Sequence, residues 1–491
     1  MNAAPPPLSA AAAAMAAIVG APHVRTGDDA APYGRDWRGL HDRAPALVVR
    51  PGTVSEAADV VACAAEYGLT VVPIGGNTGL AGAAAVVDDH TLLLSTERLT
   101  MIRKIDAVGG TITAEAGVTI GALQAAAAEA GAELGLDWGA RDSATLGGAI
   151  STDAGGSQVL RWGTTRDRLL GLEVVLPDGR VLDLLRALRK NSTGPGLVQL
   201  FAGAEGTLGL ITAATLRLEP APADRATALL GCRSLPDVLD VYRQLRGATG
   251  GDLVAFELLP DRGVDAVVEL RRGTRPIGAA PWLALVEIAG DTGAAERLAG
   301  AIAELVDDGA AGDVTNTEPP GAVTDAVIAA DERQRTALWH LRDELPPEPL
   351  LGRKGVKYDL AVPTSAIPAL VAEIEERVDR TDDATWRDLE LYCFGHVGDG
   401  NLHLYLLPTD GSTALPDERR GRLEAEIDQL VWHHRGTISA EHGVGLALVD
   451  RIAGQVSATE LDVLAAVARA IDPDGRFNPG KGPLGSPEAR H

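Results

Sequence analysis

The run Pro73-Ile74-Gly75-Gly76-Asn77-Thr78-Gly79-Leu80 directly follows a predicted buried strand, Leu69 to Ile74. Because glycine has no Cβ, the main-chain N–H groups of such a loop can approach an anion closely and bind a pyrophosphate. A second glycine-rich run, Leu146 to Gly156 (LGGAISTDAGG), has the same character. Each loop alone is also consistent with a tight turn. Neither contains the GxGxxG of a Rossmann site or the GxxxxGK[ST] of a P-loop, which disfavours a nicotinamide-dependent enzyme and an NTPase.

Strands and helices alternate on both sides of these loops. The predicted elements are a strand at Leu47 to Arg50, a helix capped by Ser55, a strand from Thr111 to Ala116, a helix from Ile120 to Ala130 and a hairpin around Pro177-Asp178-Gly179. This alternation predicts an α+β or α/β arrangement.

A domain boundary is expected where the pattern of predicted strands and helices changes, at Glu219-Pro220-Ala221-Pro222-Ala223. Beyond it, Ala226 to Cys232, Leu253 to Leu259 and Trp282 to Ile288 predict strands, and Leu235 to Leu245 predicts a helix. The second domain should therefore combine a sheet with helices.

Length and composition narrow the class of protein. A chain of 491 residues is too long for one simple core, and its net charge of −24 argues against a nucleic-acid partner. No apolar run is long enough to span a membrane, and the alanine-rich stretch Leu8 to Val19 lacks the basic flank of a signal peptide, which predicts a surface helix. Cys63, Cys232 and Cys393 have no CxxC spacing, which excludes a cysteine-built metal or iron–sulfur site within this chain and favours a reducing, cytoplasmic location.

The sharpest local signal is a histidine cluster. Residues 395–403 read GHVGDGNLH, and residues 439–443 read SAEHG. Imidazole and carboxylate are good ligands for zinc, manganese or iron, and three protein ligands leave a position for substrate. We expect Gly398 and Gly400 to let the chain turn so that His396 and His403 converge. On spacing alone, a structural or solvated histidine pair is the alternative.

Together these motifs resemble vanillyl-alcohol-oxidase-type flavoproteins, in the branch of FAD-linked D-2-hydroxy-acid dehydrogenases that includes the D-lactate, glycolate and D-2-hydroxyglutarate enzymes. The resemblance extends from about residue 33 to Lys481. The matching stretches are YGRDW from Tyr33, VRPGTV from Val49, PIGGNTGL from Pro73, LGGAISTDAGG from Leu146, RWGTTRDRLLGLEVVL from Arg161 and FAGAEGTLGLIT from Phe201.

The resemblance implies an α+β fold with a two-part FAD-binding domain, a ferredoxin-like antiparallel-sheet substrate (cap) domain and a C-terminal segment that returns to the flavin. The corresponding domains are an N-terminal segment at 1–45, the FAD-binding domain at 46–220, the substrate domain at 221–436 and the C-terminal segment at 437–491.

The resemblance also implies non-covalent FAD, because Asn77 stands where covalently flavinylated relatives often carry a histidine. Glu205 and its neighbours would line the adenine and ribose end, and Asn478 would return to the isoalloxazine. The implied cofactor contacts are Pro73, Ile74, Gly75, Gly76, Asn77, Thr78, Thr145, Gly147, Gly148, Ser151, Thr152, Gly155, Glu205, Gly206, Gly209, Ile211 and Asn478.

For the chemistry, the resemblance implies that His396, His403 and Glu441 bind a divalent metal, with zinc expected, and that His442 is the general base. Metal coordination lowers the pKa of a bound alcohol as it does that of bound water. A neutral imidazole can then take the proton while the C2 hydride moves to the flavin N5, so that the cofactor performs the redox step.

A carboxylate substrate needs cations, and the resemblance implies Arg342 and Lys357. The alternative for Arg342 is a surface ion pair with Asp343 or Glu344. Asn401 is a further implied substrate contact.

At two expected substrate contacts the chain departs from the D-2-hydroxyglutarate branch. Pro346 replaces a threonine, and Tyr405, which we also expect to contact substrate, replaces an asparagine. D-2-hydroxyglutarate, D-malate and D-lactate therefore all stay candidate substrates.

Two other functions are left open by the residues, an oxidase that passes electrons to oxygen and a catalytically inert flavin-binding protein. The expected partners are a small-molecule 2-hydroxy acid and an external electron acceptor, either electron-transfer flavoprotein or a quinone. Homodimer formation is left open, and no nucleic acid or transmembrane segment is expected.

Overall fold

The computed structural model describes residues 7–306, 322–345, 348, 351–380 and 382–482. Its strands are β1 (Val24–Arg25), β2 (Leu47–Val49), β3 (Thr70–Ile74), β4 (Thr91–Ser95), β5 (Ile102–Asp106), β6 (Thr111–Glu115), β7 (Ala132–Glu133), β8 (Leu169–Val175), β9 (Val181–Asp183), β10 (Leu210–Arg217), β11 (Glu219–Pro220), β12 (Asp224–Cys232), β13 (Leu253–Pro260), β14 (Trp282–Gly290), β15 (Val323–Ile328), β16 (Val356–Ala361), β17 (Leu389–Phe394) and β18 (Asn401–Pro408).

The α-helices of the described residues follow the same chain order. They are α1 (Leu8–Val19), α2 (Val54–Glu66), α3 (Ile120–Glu129), α4 (Leu146–Thr152), α5 (Val159–Trp162), α6 (Thr165–Arg168), α7 (Leu197–Phe201), α8 (Leu235–Thr249), α9 (Asp261–Arg271), α10 (Ala294–Ala303), α11 (Glu332–Asp343), α12 (Ile367–Val378), α13 (Asp417–His433) and α14 (Ala458–Ile471).

The described residues form two compact units. Unit 1 comprises the described parts of Met1–Gly156, Trp162–Ala221 and Glu441–His491. Unit 2 comprises those of Ser157–Arg161 and Pro222–Ala440.

Unit 1 contains two larger sheets. In the first, with the order β1-β2-β4-β3, the pairs β2–β4 and β3–β4 are parallel. Strand β2 is apolar, β4 has an apolar centre at residues 92–94, and both are buried along their whole length, as is typical of parallel strands covered on both faces. The second sheet, β5-β6-β10-β8-β9, is antiparallel. Its β8–β9 hairpin, with Val175 opposite Val181, confirms the predicted turn around residues 177–179.

Two local predictions in unit 1 need correction. The N-cap of α2 is Thr53 rather than Ser55, because the Thr53 hydroxyl accepts the Glu56 N–H at 3.1 Å. The alanine-rich stretch forms α1 as predicted, but Ala11, Met15 and Val19 are buried and belong to the same apolar core as α2. Small side chains let the two helices pack closely, so α1 is more than a surface helix.

Unit 2 is built on an antiparallel sheet with the order β13-β14-β12-β15, which confirms the predicted combination of a sheet with helices. A second sheet has the order β16-β18-β17. Residues Leu258 and Gly395 form an antiparallel bridge that links β13 to the loop after β17. A shared apolar core includes Leu259, Phe394 and Tyr405. Within the described part of the chain, no helix has the length and apolar character needed to cross a membrane.

Candidate active site

A cleft in unit 1 is lined by both glycine-rich loops. It has a volume of about 970 Å³ and contacts the loop after β3, helix α4 and the segment before β10. Fourteen of the seventeen residues implied as cofactor contacts line it, namely Pro73, Ile74, Gly75, Gly76, Asn77, Thr78, Thr145, Gly147, Gly148, Ser151, Thr152, Glu205, Gly206 and Ile211.

Glycine is required in the first loop by close packing. A Cβ on Gly76 would lie 1.9 Å from the Ser143 carbonyl oxygen, and one on Gly75 would lie 2.2 Å from Thr145 Oγ1. The loop can therefore approach the segment before α4 only without side chains, which leaves its main chain exposed to the cleft.

Polar atoms without protein partners face this cleft. Among the described residues, Asp36 Oδ2, Thr96 Oγ1 and Thr145 Oγ1 are buried and make no hydrogen bond, although all three residues line the cleft. A buried polar atom without a partner is costly, so a ligand with hydrogen-bonding groups fits this cleft better than an apolar one. FAD carries such groups along its length.

Three residues implied as cofactor contacts do not line the cleft: Gly155, Gly209 and Asn478. Gly209 packs against β8, where a Cβ would lie 2.6 Å from the Val175 carbonyl oxygen. The Asn478 amide donates to the carbonyl oxygens of Ala83 and Glu205, two residues of the cleft wall.

The Glu205 carboxylate holds the loop that follows His442. It accepts the main-chain N–H groups of Val444 and Gly445, each at 2.7 Å. Burial raises the pKa of Glu205, against the opposing effect of those two N–H groups and of Lys481. The Glu205 backbone is left-handed, with φ of 49°, a conformation that its carboxylate contacts help to stabilise.

The first part of the histidine cluster lies in unit 2 around a fully buried carboxylate. His396 Nδ1 lies 2.7 Å from Glu257 Oε1, and the Arg342 Nε donates to Glu257 Oε2 at 2.9 Å. Arg342 Nη2 lies 2.9 Å from His396 Nε2, which closes a three-residue ring of contacts. Although burial opposes ionisation, the electrostatic interactions and hydrogen bonds with His396 and Arg342 lower the pKa of Glu257 to about 2.

His403 faces His396 across the turn between β17 and β18. The two imidazole centroids are 5.6 Å apart, and His403 Nδ1 lies 3.7 Å from Asp359 Oδ1. Asn401 donates to the same Asp359 oxygen at 2.9 Å, while its own Oδ1 is buried and has no partner among the described residues.

The glycines that turn this segment differ from those expected. Gly400 has φ of 95°, as predicted, but the other left-handed position is Gly395, with φ of 135°. Gly398 instead allows close packing, since a Cβ there would lie 2.9 Å from Leu160 Cδ2 and 3.2 Å from Phe256 Cβ.

The expected substrate residues have partners within unit 2. Arg342 contacts Glu257 and His396, whereas Arg342 Nη1 lies 4.0 Å from Asp343 Oδ1. Its main ion pair is therefore the buried one with Glu257 rather than a surface pair with Asp343. Lys357 Nζ lies 5.6 Å from the ring centroid of Tyr405, which is itself 3% exposed and stacked on Phe394. Pro346 lies outside the described residues.

Two of the three residues implied as metal ligands lie together in unit 2, where the imidazole rings of His396 and His403 are neighbours. The third, Glu441, belongs to unit 1. Two imidazoles and one carboxylate are a donor set suited to zinc. The Glu441 Oε1 also accepts the Gly156 N–H at 3.3 Å.

Sequence reasoning missed Glu257 and part of the cleft wall. Glu257 was detectable as the single carboxylate within the apolar strand LVAFELLP. Asp36 lies inside the YGRDW motif, and its carboxylate accepts the main-chain N–H groups of Leu40 and His41. Thr96 and Trp138 had no distinguishing local pattern.

Comparison with known proteins gives the family. Residues 45–185 match the family described as "FAD binding domain", and residues 221–482 match "FAD linked oxidases, C-terminal domain". The chain is 35% identical over 451 residues to the mitochondrial D-2-hydroxyglutarate dehydrogenase of Bos taurus, covering 91% of this chain and 78% of that protein. It is also 35% identical to the D-2-hydroxyglutarate dehydrogenase of Xanthomonas citri pv. viticola, covering 91% of each chain.

A further relative is a putative D-lactate dehydrogenase of Schizosaccharomyces pombe, which is 33% identical over 91% of this chain and 83% of its own length. Among solved structures, p-cresol methylhydroxylase matches with a TM-score of 0.71 at 17% identity, covering 97% of this chain and 96% of that one. Alkyldihydroxyacetonephosphate synthase matches with a TM-score of 0.70 at 15% identity, covering 98% and 86%. These likenesses confirm the α+β fold and FAD as cofactor, and the chain belongs to the FAD-linked D-2-hydroxy-acid dehydrogenases of the vanillyl-alcohol-oxidase type.

Proposed function

We propose that this dehydrogenase oxidises a D-2-hydroxy acid to the 2-oxo acid with non-covalently bound FAD and a divalent metal ion, zinc being the expected one. The observation that carries the metal part of the proposal is the pair of imidazoles in unit 2, His396 and His403, whose ring centroids are 5.6 Å apart. Glu441, in the SAEHG stretch, is the proposed third ligand. When bound, the ion supplies Lewis acidity toward the substrate hydroxyl, and the flavin accepts the hydride.

Under this proposal His442 removes the hydroxyl proton. It follows the proposed ligand Glu441 directly, and the loop after it is held by the Glu205 carboxylate through Val444 and Gly445. A neutral imidazole can accept a proton on its unprotonated ring nitrogen, which suits His442 to the role of general base. Holding the base in one position reduces the entropy lost on reaching the reactive geometry.

Arg342 and Lys357 are the proposed anchors for the substrate carboxylate, with Asn401 and Tyr405 as further contacts. Arg342 is held by Glu257, which orients its planar guanidinium. The unpartnered Oδ1 of Asn401 is a suitable acceptor for a substrate hydrogen-bond donor. D-2-hydroxyglutarate and D-lactate are candidate substrates because two of the relatives above are named for the first and one for the second. D-malate is the third candidate, as another D-2-hydroxy acid.

The remaining proposals concern organisation and partners. We assign FAD binding to residues 46–220 and substrate binding to 221–436, with 1–45 and 437–491 as flanking segments. We propose electron-transfer flavoprotein or a quinone as the electron acceptor and the cytoplasm as the location of the protein. Measuring the molecular size of the protein in solution would test whether it forms a homodimer.

The proposal is tested with a panel of D- and L-2-hydroxy acids and an artificial electron acceptor, before and after metal removal by a chelator. We expect turnover of D-acids only, loss of turnover with the chelator and recovery on adding Zn²⁺. Equal turnover of L-acids would refute the stereochemical assignment, and full activity in metal-free protein would refute the metal dependence. Rapid oxygen uptake in place of acceptor reduction would identify an oxidase.

A further inference from the structure

Glu257 connects two groups that the proposed function uses separately, His396 and Arg342. Its carboxylate is 1% exposed, and each of its oxygens has a different partner, Oε1 with His396 Nδ1 at 2.7 Å and Oε2 with Arg342 Nε at 2.9 Å. Burying a carboxylate without partners costs free energy. The folded protein is therefore most stable with His396 and Arg342 in contact with Glu257, which fixes where these two side chains lie.

The main chain fixes Glu257 beside the histidine loop. Its neighbour Leu258 exchanges two backbone hydrogen bonds with Gly395, at 2.8 and 3.1 Å. On the other side, the Gly398 N–H donates to the Phe256 carbonyl oxygen at 3.2 Å. Strand β13 therefore runs alongside residues 395–398, and the Glu257 side chain is directed at His396 by backbone pairing on both sides.

The contacts of His396 define its tautomer. A guanidinium only donates hydrogen bonds, so the Arg342 Nη2 group at 2.9 Å makes His396 Nε2 an acceptor. The ring proton then lies on Nδ1, which donates to the Glu257 carboxylate. Nε2 carries no proton, and its lone pair, which accepts the Arg342 N–H in this structure, would bind a metal ion in place of that hydrogen bond.

We propose that Glu257 is a positioning residue that fixes the Nδ1–H tautomer of His396 for metal binding and, through its second oxygen, orients Arg342 toward the substrate carboxylate. This inference rests on the proposed function. A single carboxylate therefore orients both the proposed metal ligand His396 and the proposed substrate anchor Arg342. Partners of this kind typically change metal affinity by about 10- to 100-fold when removed.

The test uses full-length, FAD-loaded protein with the Glu257→Gln substitution. Glutamine has nearly the same shape, but an NH₂ donor replaces one of the two oxygens, so it cannot present one acceptor oxygen to His396 and another to Arg342. The matched control is Glu287→Gln, because Glu287 is also a buried carboxylate of the same sheet, 3% exposed, but its ion pairs are with Arg225 and Arg335.

Zinc affinity is measured by competition with a chromophoric chelator. We expect Glu257→Gln to bind Zn²⁺ about 10- to 100-fold more weakly than the parent protein, and Glu287→Gln to stay within about threefold. Unchanged zinc affinity in Glu257→Gln would overturn the inference, as would an equal loss in both variants, since that would indicate a general effect of losing a buried carboxylate. If Glu257→Gln does not fold, Glu257→Asp replaces it, with a smaller loss expected and unchanged affinity again contradicting the inference.

A second measurement does not depend on metal. Nitrogen NMR of zinc-free protein, with the His396 signals assigned by His396→Gln, reports which ring nitrogen carries the proton. We expect a single Nδ1–H tautomer in the parent and a mixture in Glu257→Gln. If the parent protein does not bind Zn²⁺ but the tautomer still differs between the parent and Glu257→Gln, the proposed metal dependence fails while the positioning role of Glu257 stands. An unchanged tautomer in Glu257→Gln refutes the positioning role.

Discussion

Lys481 and Asn478, three positions apart in the C-terminal segment, form a buried hydrogen bond in which Lys481 Nζ donates to Asn478 Oδ1 at 2.6 Å. Lys481 also donates to the carbonyl oxygen of Ala85, and Asn478 donates to those of Ala83 and Glu205. Since Ala83, Ala85 and Glu205 line the cofactor cleft, this pair ties the C-terminal segment to the cleft wall.

The burial of Lys481 makes stability depend on pH. Burial lowers its pKa to about 7 from an ordinary 10.5, outweighing the opposing charges of Glu205 and Asp88. Between these two pH values the unfolded chain binds a proton that the folded protein lacks, so the contribution of Lys481 to the free energy of unfolding rises with pH. We expect the parent protein to gain up to about 1.4 kcal/mol per pH unit relative to Lys481→Met across this range, measured by denaturant unfolding. The control is Lys104→Met, at a side chain that is 68% exposed, and an equal pH slope in both variants would contradict the prediction.

Gly76→Ala should impair FAD binding. The added Cβ would lie 1.9 Å from the Ser143 carbonyl oxygen, so the loop or the segment before α4 must shift. We expect a loss of stability of about 1–3 kcal/mol and at least about tenfold weaker FAD binding, followed by flavin fluorescence. Gly139→Ala is the control because Gly139 is exposed and its Cβ would meet no atom within 4 Å. Normal FAD affinity in Gly76→Ala would show that the cleft tolerates this shift.

His442→Ala should abolish most turnover without releasing either cofactor. Removing a general base typically costs about 10²- to 10⁴-fold in rate. We expect kcat to fall by that factor while the FAD and zinc contents stay near those of the parent protein. His433→Ala, at an exposed histidine near the end of α13, should retain full activity. A variant His442→Ala that loses zinc in parallel with activity would instead identify a structural or ligand role.

Besides its proposed contact with substrate, Tyr405 is predicted to contribute to stability. Its ring is 3% exposed, stacked on Phe394 and part of the unit 2 core. Tyr405→Asn would replace this ring by a small amide in an apolar core, with an expected loss of about 3 kcal/mol in thermal or denaturant unfolding. Tyr405→Phe keeps the ring and should lose less than about 1.5 kcal/mol. If Tyr405→Asn retains stability but changes substrate preference, the side chain acts in specificity rather than packing.

The sequence by itself determined the element pattern, the family and most of the cleft. The glycine-rich runs from Pro73 and from Leu146 could be recognised because glycine spacing and strand periodicity are local properties of the chain, whereas the helical conformation of Leu146–Thr152 was not predicted. The same holds for the hairpin around residues 177–179. Capping at Thr53 was missed because Thr53 and Ser55 are both competent caps, and only the backbone geometry distinguishes them.

Only the tertiary structure decided the partners of the buried charges. Glu257 lies 139 positions from His396 and 85 from Arg342, and no local pattern indicates that strand β13 runs beside the histidine loop. The same is true of Glu205, which accepts N–H groups 239 and 240 positions away. Such contacts depend on strand pairing and burial, because a carboxylate removed from water must take whichever donors the fold brings within reach.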